Sequence, residues 1–113
     1  MKRILIVDDD TRIVDRLATL LASKYETVTA STGFDALQQL NEQRFDVVLL
    51  DLRMPGMDGP GLVQELQKRR INVPIVLISA NPNLPAQAKA MGISHYLPKP
   101  FDIERLEEMV ETL

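Results

Sequence analysis

The apolar residues of the chain alternate between short continuous runs and longer stretches with helical spacing. Three runs, at 3–9, 46–51 and 74–79, are almost wholly apolar before they reach a polar end, as in strands buried on both faces of a sheet; two weaker runs lie at 26–31 and 94–97. Between the runs, apolar residues recur every three or four positions, as in Ile13, Leu17, Leu20 and Leu21, in Leu37 and Leu40, in Leu62 and Leu66, and in Ile103, Leu106 and Val110. The pattern predicts five strands that alternate with helices.

Alternation of this kind predicts a parallel sheet with helices on both faces. The crossovers between its strands are expected to be right-handed. With five strands, the simplest arrangement is a doubly wound sheet in the order 2-1-3-4-5. We therefore predict an α/β fold, a single-domain flavodoxin-like (βα)5 sandwich that covers residues 1–113. The sequence contains no internal repeat, linker or low-complexity segment.

Local signals add detail to the second half of this fold. Pro82 and Pro85 forbid a helix that runs through both, so the fourth helix should be short and begin near Leu84–Pro85. Asp102 is suited to cap the last helix. Pro98 is expected to break the fifth strand, which a sheet tolerates only at its edge.

Composition narrows the class of protein. Hydrophobic residues make up 45% and charged residues 26% of the 113 positions, as in ordinary globular domains. The formal net charge of -3 argues against bulk attraction to nucleic acid or to an anionic membrane. The chain has no cysteine, which excludes disulfides and thiolate zinc sites. Its N-terminal apolar run, 4–7, is too short for a signal peptide, so we expect a cytoplasmic protein.

Polar side chains end or follow four of the predicted strands. Ligands of doubly wound sheets bind beyond the carboxyl ends of the strands, so these side chains should meet at one edge. Taken singly, each has an ordinary explanation as a helix cap, a turn former or a solvated lysine. Their agreement at one edge favours a functional site made of Asp8, Asp9 and Asp10 after the first strand, Asp51 at the third, Ser79 at the fourth and Lys99 after the fifth.

Carboxylates that converge without compensation repel one another, and a divalent cation relieves this repulsion. Asp8, Asp9 and Asp51 suit Mg²⁺, which prefers oxygen ligands. The single histidine, His95, has no partner for a zinc site and is expected to be a partly exposed surface residue. A lysine and a hydroxyl opposite the metal suit a phosphoryl group, with one carboxylate as the nucleophile that forms an acyl phosphate.

Four motifs spread over the whole chain resemble those of a known family. They are "ILIVDDD", "VVLLDLRMPGMDG", "IVLISA" and "HYLPKPF". Together they are similar to the receiver domain of two-component response regulators. The resemblance implies that Asp51 accepts a phosphoryl group, that Ser79 hydrogen-bonds to this group and that Lys99 pairs with it. It also implies that Tyr96 changes rotamer as Ser79 moves.

The resemblance further implies a metal site and a special backbone. Mg²⁺ (or Mn²⁺) would be held by Asp8, Asp9, Asp51 and the backbone carbonyl of Arg53. The Lys99–Pro100 peptide bond would be cis, which is uncommon even before proline. Pro55 and the neighbouring glycines would hold the turn at 54–59 close to the metal and start the third helix.

The function that the resemblance implies is a phosphorylation-dependent signalling switch. A sensor histidine kinase or a histidine phosphotransfer protein would supply the phosphoryl group, and an unknown output protein or domain would respond to the changed face around Ser79 and Tyr96. The chain would be no enzyme beyond catalysing its own phosphorylation and dephosphorylation. It would bind neither nucleic acid nor membrane directly, and would be a monomer or a weak phosphorylation-linked dimer.

Two other functions stay open. The first is a receiver-like interaction module that does not use phosphate, which the unusual fourth helix favours. The second is a haloacid-dehalogenase-like phosphatase in which Asp8 is the nucleophile, since Asp8 and Asp10 follow the first strand with that family's spacing. The phosphatase hypothesis leaves Asp51 unexplained and provides no room for a substrate cap.

Overall fold

Five strands and five helices alternate along the chain, and the structure, a computed structural model, describes residues 1–113. The elements are β1 (Arg3–Val7), α1 (Thr11–Leu21), β2 (Glu26–Ala30), α2 (Gly33–Glu42), β3 (Val47–Asp51), α3 (Gly59–Lys68), β4 (Ile75–Ser79), α4 (Leu84–Ala90), β5 (His95–Pro98) and α5 (Ile103–Glu111). All strand pairs are parallel, and the order in the sheet is 2-1-3-4-5. The predicted α/β fold and strand order are confirmed. None of the helices combines the length and the apolar character needed to cross a membrane.

The continuous apolar strands are buried on both faces of the sheet. Successive side chains of a strand point to opposite faces, so each central strand supplies two cores. Leu50 belongs to the core beneath α2, α3 and α4, whereas its neighbour Leu49 belongs to the core beneath α1 and α5. All five residues of β3 are buried, as expected for the middle of the sheet. This two-sided burial explains why the strands lack an alternating pattern.

The boundaries differ from the sequence prediction by one or two residues. The prediction that Pro98 breaks the fifth strand is wrong, because Pro98 is the last residue of β5 and lies in register with Ser79. A proline without an N–H is tolerated there because β5 is an edge strand. Asp102 lies at the N-cap position of α5, but its side chain accepts no capping hydrogen bond.

Helix α4 is short, as the two prolines predict. It has 7 residues, begins at Leu84 and carries Pro85 in its first turn, where a missing N–H costs no intrahelical bond. Leu84 and Ala88 are its buried residues. His95, at the start of β5, is partly exposed, as predicted.

Candidate functional site

The carboxylates of the first and third strands meet at the carboxyl edge of the sheet. Val7 pairs with Leu50 in the parallel register, so Asp8 and Asp51 follow as neighbours one position later. Carboxylate oxygens of Asp8, Asp9 and Asp51 all lie within 4.8 Å of one another. Asp8 is 4% exposed and Asp51 is 9% exposed. The predicted acidic cluster therefore exists, with Asp8 and Asp51 buried and Asp9 exposed.

Lys99 enters the cluster from the end of β5. Its backbone N–H donates to the carbonyl oxygen of Ser79 at 2.9 Å, which extends the pairing of β4 and β5. Its Nζ lies 3.1 Å from Oδ2 of Asp8 and 3.5 Å from Oδ1 of Asp51. Burial alone would lower the pKa of Lys99, but the hydrogen bond to Asp8 and the charges of both carboxylates raise the pKa above its ordinary value. The Lys99–Pro100 peptide bond is cis.

The electrostatics of Asp51 show that the negative charge of the cluster is incompletely compensated. Burial, reinforced by the charge of Asp8, raises the pKa of Asp51 from 3.8 to about 6, although Lys99 acts in the opposite direction. The ammonium group of Lys99 contacts Asp8 and Asp51, so one positive charge faces three carboxylates whose oxygens lie close together. An all-oxygen set with excess negative charge fits a hard divalent cation such as Mg²⁺.

Ser79 and Arg53 border a cavity that opens directly onto Asp51. The cavity has a volume of about 380 Å³, and its walls are formed by Asp51, Arg53, Ser79, Ala80, Asn81, Pro82 and Lys99. Ser79 is buried, and its Oγ accepts a hydrogen bond from the backbone N–H of Asn81 at 3.0 Å. Its hydroxyl hydrogen is left to donate to another acceptor. Arg53 is exposed and forms no ion pair.

Tyr96 lies apart from this cavity. It is in register with Leu77 of β4 and packs, half-buried, against the core beneath α2, α3 and α4. The structure therefore brings together Asp8, Asp9, Asp51, Ser79 and Lys99, and it places Tyr96 on the face of the sheet that the short helix α4 covers.

The segment between β3 and α3 forms a closed loop, residues 52–58, which we call the β3–α3 loop. The N–H of Gly59 donates to the carbonyl oxygen of Leu52 at 3.1 Å and closes its base. The side chain of Asp58 accepts a hydrogen bond from Gly61 N–H at 2.8 Å and caps α3. Gly56 has φ +74°, a backbone conformation that favours glycine. The expected turn and helix start are present.

Asp10 is the one acidic residue of the first strand end that lies outside the cluster. Its side chain caps α1 by accepting a hydrogen bond from Arg12 N–H, and its own N–H donates to Oδ1 of Asp8 at 3.0 Å. Sequence reasoning missed the bond between Asn81 and Ser79. The spacing itself could have revealed it, because serine side chains often bind the amide two residues further on.

Comparisons with known proteins agree with this geometry. The family described as the response regulator receiver domain matches residues 4–111. The transcriptional regulator NtrC of Escherichia coli K12 is 38% identical over 109 residues, which is 94% of this chain and 23% of NtrC. The chain spans about a quarter of the length of the curated relatives it matches.

Solved structures of high similarity cover almost the whole chain. The receiver domain of the Francisella response regulator 1452 superposes with a TM-score of 0.91 at 31% identity, covering 99% of this chain and 95% of that one. Response regulator TrrA of Thermotoga maritima, solved in complex with Mg²⁺ and BeF, gives a TM-score of 0.87 at 33% identity, with 99% and 98% coverage. The chain belongs to the receiver domain family of two-component response regulators, whose members are phosphorylation-based signalling domains.

Proposed function

We propose that this chain is a phosphorylation-dependent switch in which Asp51 accepts a phosphoryl group from a sensor histidine kinase or a histidine phosphotransfer protein, in a reaction that requires Mg²⁺ or Mn²⁺. One observation carries the proposal. Carboxylate oxygens of Asp8, Asp9 and Asp51 lie within 4.8 Å of one another, and the ammonium group of Lys99 contacts two of these side chains.

The metal would be held by the three carboxylates and the backbone carbonyl of Arg53. Bound there, Mg²⁺ supplies charge neutralisation to the oxygens of the transferring phosphoryl group. The relative TrrA was solved in complex with Mg²⁺ and BeF, which supports Mg²⁺ binding by a chain of this fold.

The nucleophile in the proposed reaction is a carboxylate oxygen of Asp51. With a pKa of about 6, Asp51 is mostly ionised at neutral pH. Its oxygen forms a bond to phosphorus while the bond from phosphorus to the donor's imidazole nitrogen breaks, and the imidazole leaves with the electron pair. The product is an acyl phosphate, which water later hydrolyses. Lys99 pairs with a phosphoryl oxygen, and the hydroxyl of Ser79 donates a hydrogen bond to another.

The output of the proposed switch is a change in the face formed by α4, β5 and α5. Phosphorylation adds a charge of about −1.5 to −2 and new acceptor oxygens. Ser79 moves toward them, and Tyr96 changes rotamer as Ser79 moves. A partner protein or output domain that prefers the new face shifts the population toward it. We place this switch in the cytoplasm, as a monomer or a weak phosphorylation-linked dimer that catalyses only its own phosphorylation and dephosphorylation.

The test is the intact mass of the chain after incubation with a small acyl-phosphate donor, with and without Mg²⁺. We expect a single phosphoryl adduct that requires the metal and is absent in Asp51→Asn. The matched control is Asp10→Asn, because Asp10 caps α1 outside the cluster and its loss should leave the adduct in place.

Two outcomes would contradict the proposal. An adduct that persists in Asp51→Asn and is lost in Asp8→Asn would favour the phosphatase-like hypothesis. No adduct under any condition, from folded chain, would favour the interaction module, a hypothesis that the short α4 of 7 residues supports.

A further inference from the structure

The start of α2 packs against the β3–α3 loop at unusually short range. A Cβ atom at Gly33 would lie 2.4 Å from the carbonyl oxygen of Met57 and 2.8 Å from its Cβ. Gly33 is buried, and one of the two atoms it meets belongs to the backbone of the loop. Side-chain rotation cannot relieve such a clash, so any larger residue at position 33 forces the loop and the start of α2 apart.

Phe34, the next residue, covers the same loop from outside. Its ring atom Cε2 lies 3.2 Å from the position of a Cβ on Gly56, the residue with φ +74°. Phe34 is 60% exposed, which is a large exposure for a phenylalanine in a small domain. Contact with the Gly56 turn gives this exposed ring a structural role.

The backbone of the β3–α3 loop has little freedom to accommodate a displacement of Met57. The bond between Gly59 and Leu52 closes the loop at its base, and Leu52 and Met54 are both buried on either side of Arg53. Pro55 restricts the backbone further because its ring fixes φ. Because this backbone is constrained at its base and at Pro55, a shift imposed at Met57 should be transmitted along the loop toward the carbonyl of Arg53.

We propose that Gly33 and Phe34 are positioning residues that hold the β3–α3 loop where the carbonyl of Arg53 can join the carboxylates of Asp8, Asp9 and Asp51, and that they thereby set the affinity for Mg²⁺. This inference rests on the proposed function, since it assigns a supporting layer to the same metal site. Residues that hold metal ligands in place commonly tune the affinity for the metal in this way.

The first experiment compares Gly33→Ala with Gly92→Ala by titrating Mg²⁺ and following backbone amide signals in NMR spectra. Gly33→Ala should weaken Mg²⁺ binding by about tenfold or more, the range typical for loss of a supporting contact. Gly92→Ala is the matched control, because its new Cβ would meet no atom within 4 Å, while its φ of +73° makes the change destabilising at a place far from the β3–α3 loop. It should bind Mg²⁺ like the original chain.

Phosphorylation by the acyl-phosphate donor gives a second readout. In Gly33→Ala the rate should fall at low Mg²⁺ and recover at saturating Mg²⁺, because Asp51 and Lys99 are unchanged. A general defect of folding would instead lower the rate at every Mg²⁺ concentration, which would count against a positioning role.

Phe34→Ala provides a variant that should fold even if Gly33→Ala does not, because the ring is mostly exposed. It should weaken Mg²⁺ binding by a smaller factor, and Phe34→Leu should restore part of the loss. Unchanged Mg²⁺ affinity in Gly33→Ala, or in Phe34→Ala where Gly33→Ala is unfolded, overturns the inference. If the original chain still forms its Mg²⁺-dependent adduct, only the positioning role fails; if it neither binds Mg²⁺ nor forms an adduct, the proposed function fails with it.

Discussion

The two loops that border the acidic cluster are held in different ways. The β3–α3 loop is fixed by other parts of the molecule: Gly59 closes it on Leu52, and α2 packs on Met57 through Gly33. Asp58 then ties its end to α3 with a capping bond of 2.8 Å. Its position is therefore determined by tertiary packing as well as by local turns.

The loop between β4 and α4, residues 80–83, is held mainly by its own hydrogen bonds, and we call it the β4–α4 loop. Asn81 N–H donates to Ser79 Oγ at 3.0 Å, Asn83 N–H donates to Asn81 Oδ1 at 2.8 Å, and Leu84 N–H donates to Asn81 O at 3.1 Å. Asn83, at the N-cap of α4, provides no side-chain capping bond. Rearranging this loop disturbs only a few local bonds.

The difference suits a switch. A metal site requires ligands that stay in place, and the proposed carbonyl ligand lies in the loop that the rest of the fold fixes. A conformational response requires a segment that moves at low cost, and Ser79 leads into the loop that is held locally. The predictions below test whether this contrast is real, in order of the expected effect.

The largest expected loss of stability comes from truncating two buried leucines, one in α3 and one in α4. Leu62→Ala should reduce the free energy of unfolding by about 3–5 kcal/mol, since Leu62 is 0% exposed within the packed core under α2 and α3. Leu84→Ala should cost less, about 2–3 kcal/mol, because Leu84, although buried, is the first residue of a helix of only 7 residues, whose start can move to fill the cavity. Urea denaturation measures both, and equal losses would contradict the proposed difference in packing.

The buried charge of Asp51, where the β3–α3 loop begins, gives the next effect. Asp51→Asn should stabilise the metal-free chain by on the order of 1–3 kcal/mol at neutral pH, because it removes a buried charge beside Asp8. The pKa of Asp51 is raised on folding from 3.8 to about 6, so the contribution of protonated Asp51 to stability is complete below pH 3.8 and is lost as pH rises through 6.

Thermal unfolding in the presence of a chelator, across that pH range, measures this gain. The advantage of Asp51→Asn should be absent at the acidic end and complete above pH 6. Asp9→Asn is the control with a smaller gain, because Asp9 is exposed. An advantage that stays constant with pH would show that burial of charge is not its cause.

The N-cap residues at the ends of the two loops should differ by a smaller amount in their contribution to the free energy of unfolding. Asp58→Ala should cost about 1 kcal/mol, the usual loss for a working N-cap. Asn83→Ala should cost less than about 0.5 kcal/mol, because the Asn83 side chain makes no capping bond. Chemical denaturation separates the two values, and a larger loss for Asn83→Ala would reverse the comparison.

The sheet could be predicted from sequence because its signals are local and strong. Burial on both faces leaves continuous apolar runs such as 46–51, and the handedness of crossovers then limits the strand order. The end of β1 was less predictable. Asp8 and Asp9 continue the run in sequence, but strand pairing with β3 stops at Val7.

The convergence of Asp8, Asp51 and Lys99 could also be predicted, because parallel strands end at one edge. Their energetics could not, since the raised pKa of Asp51 depends on its burial and on distances that only the folded chain defines. The contact of Gly33 with Met57 is equally hidden. It joins residues far apart in sequence, and a glycine in the first turn of a helix has many ordinary explanations.

The smallest expected change in stability, at Asn81, tests whether the two loops have different functions. Asn81→Ala removes the acceptor of the Asn83 N–H and should cost about 0.5–1 kcal/mol, whereas Asn81→Asp keeps an oxygen in that place and should cost less. Because the β4–α4 loop is held locally, Asn81→Ala should leave Mg²⁺ affinity unchanged, although it should speed hydrogen exchange of the amides in α4. If Asn81→Ala weakened Mg²⁺ binding as strongly as Gly33→Ala, the two loops would form one mechanical unit, and the division between a fixed loop and a movable one would be wrong.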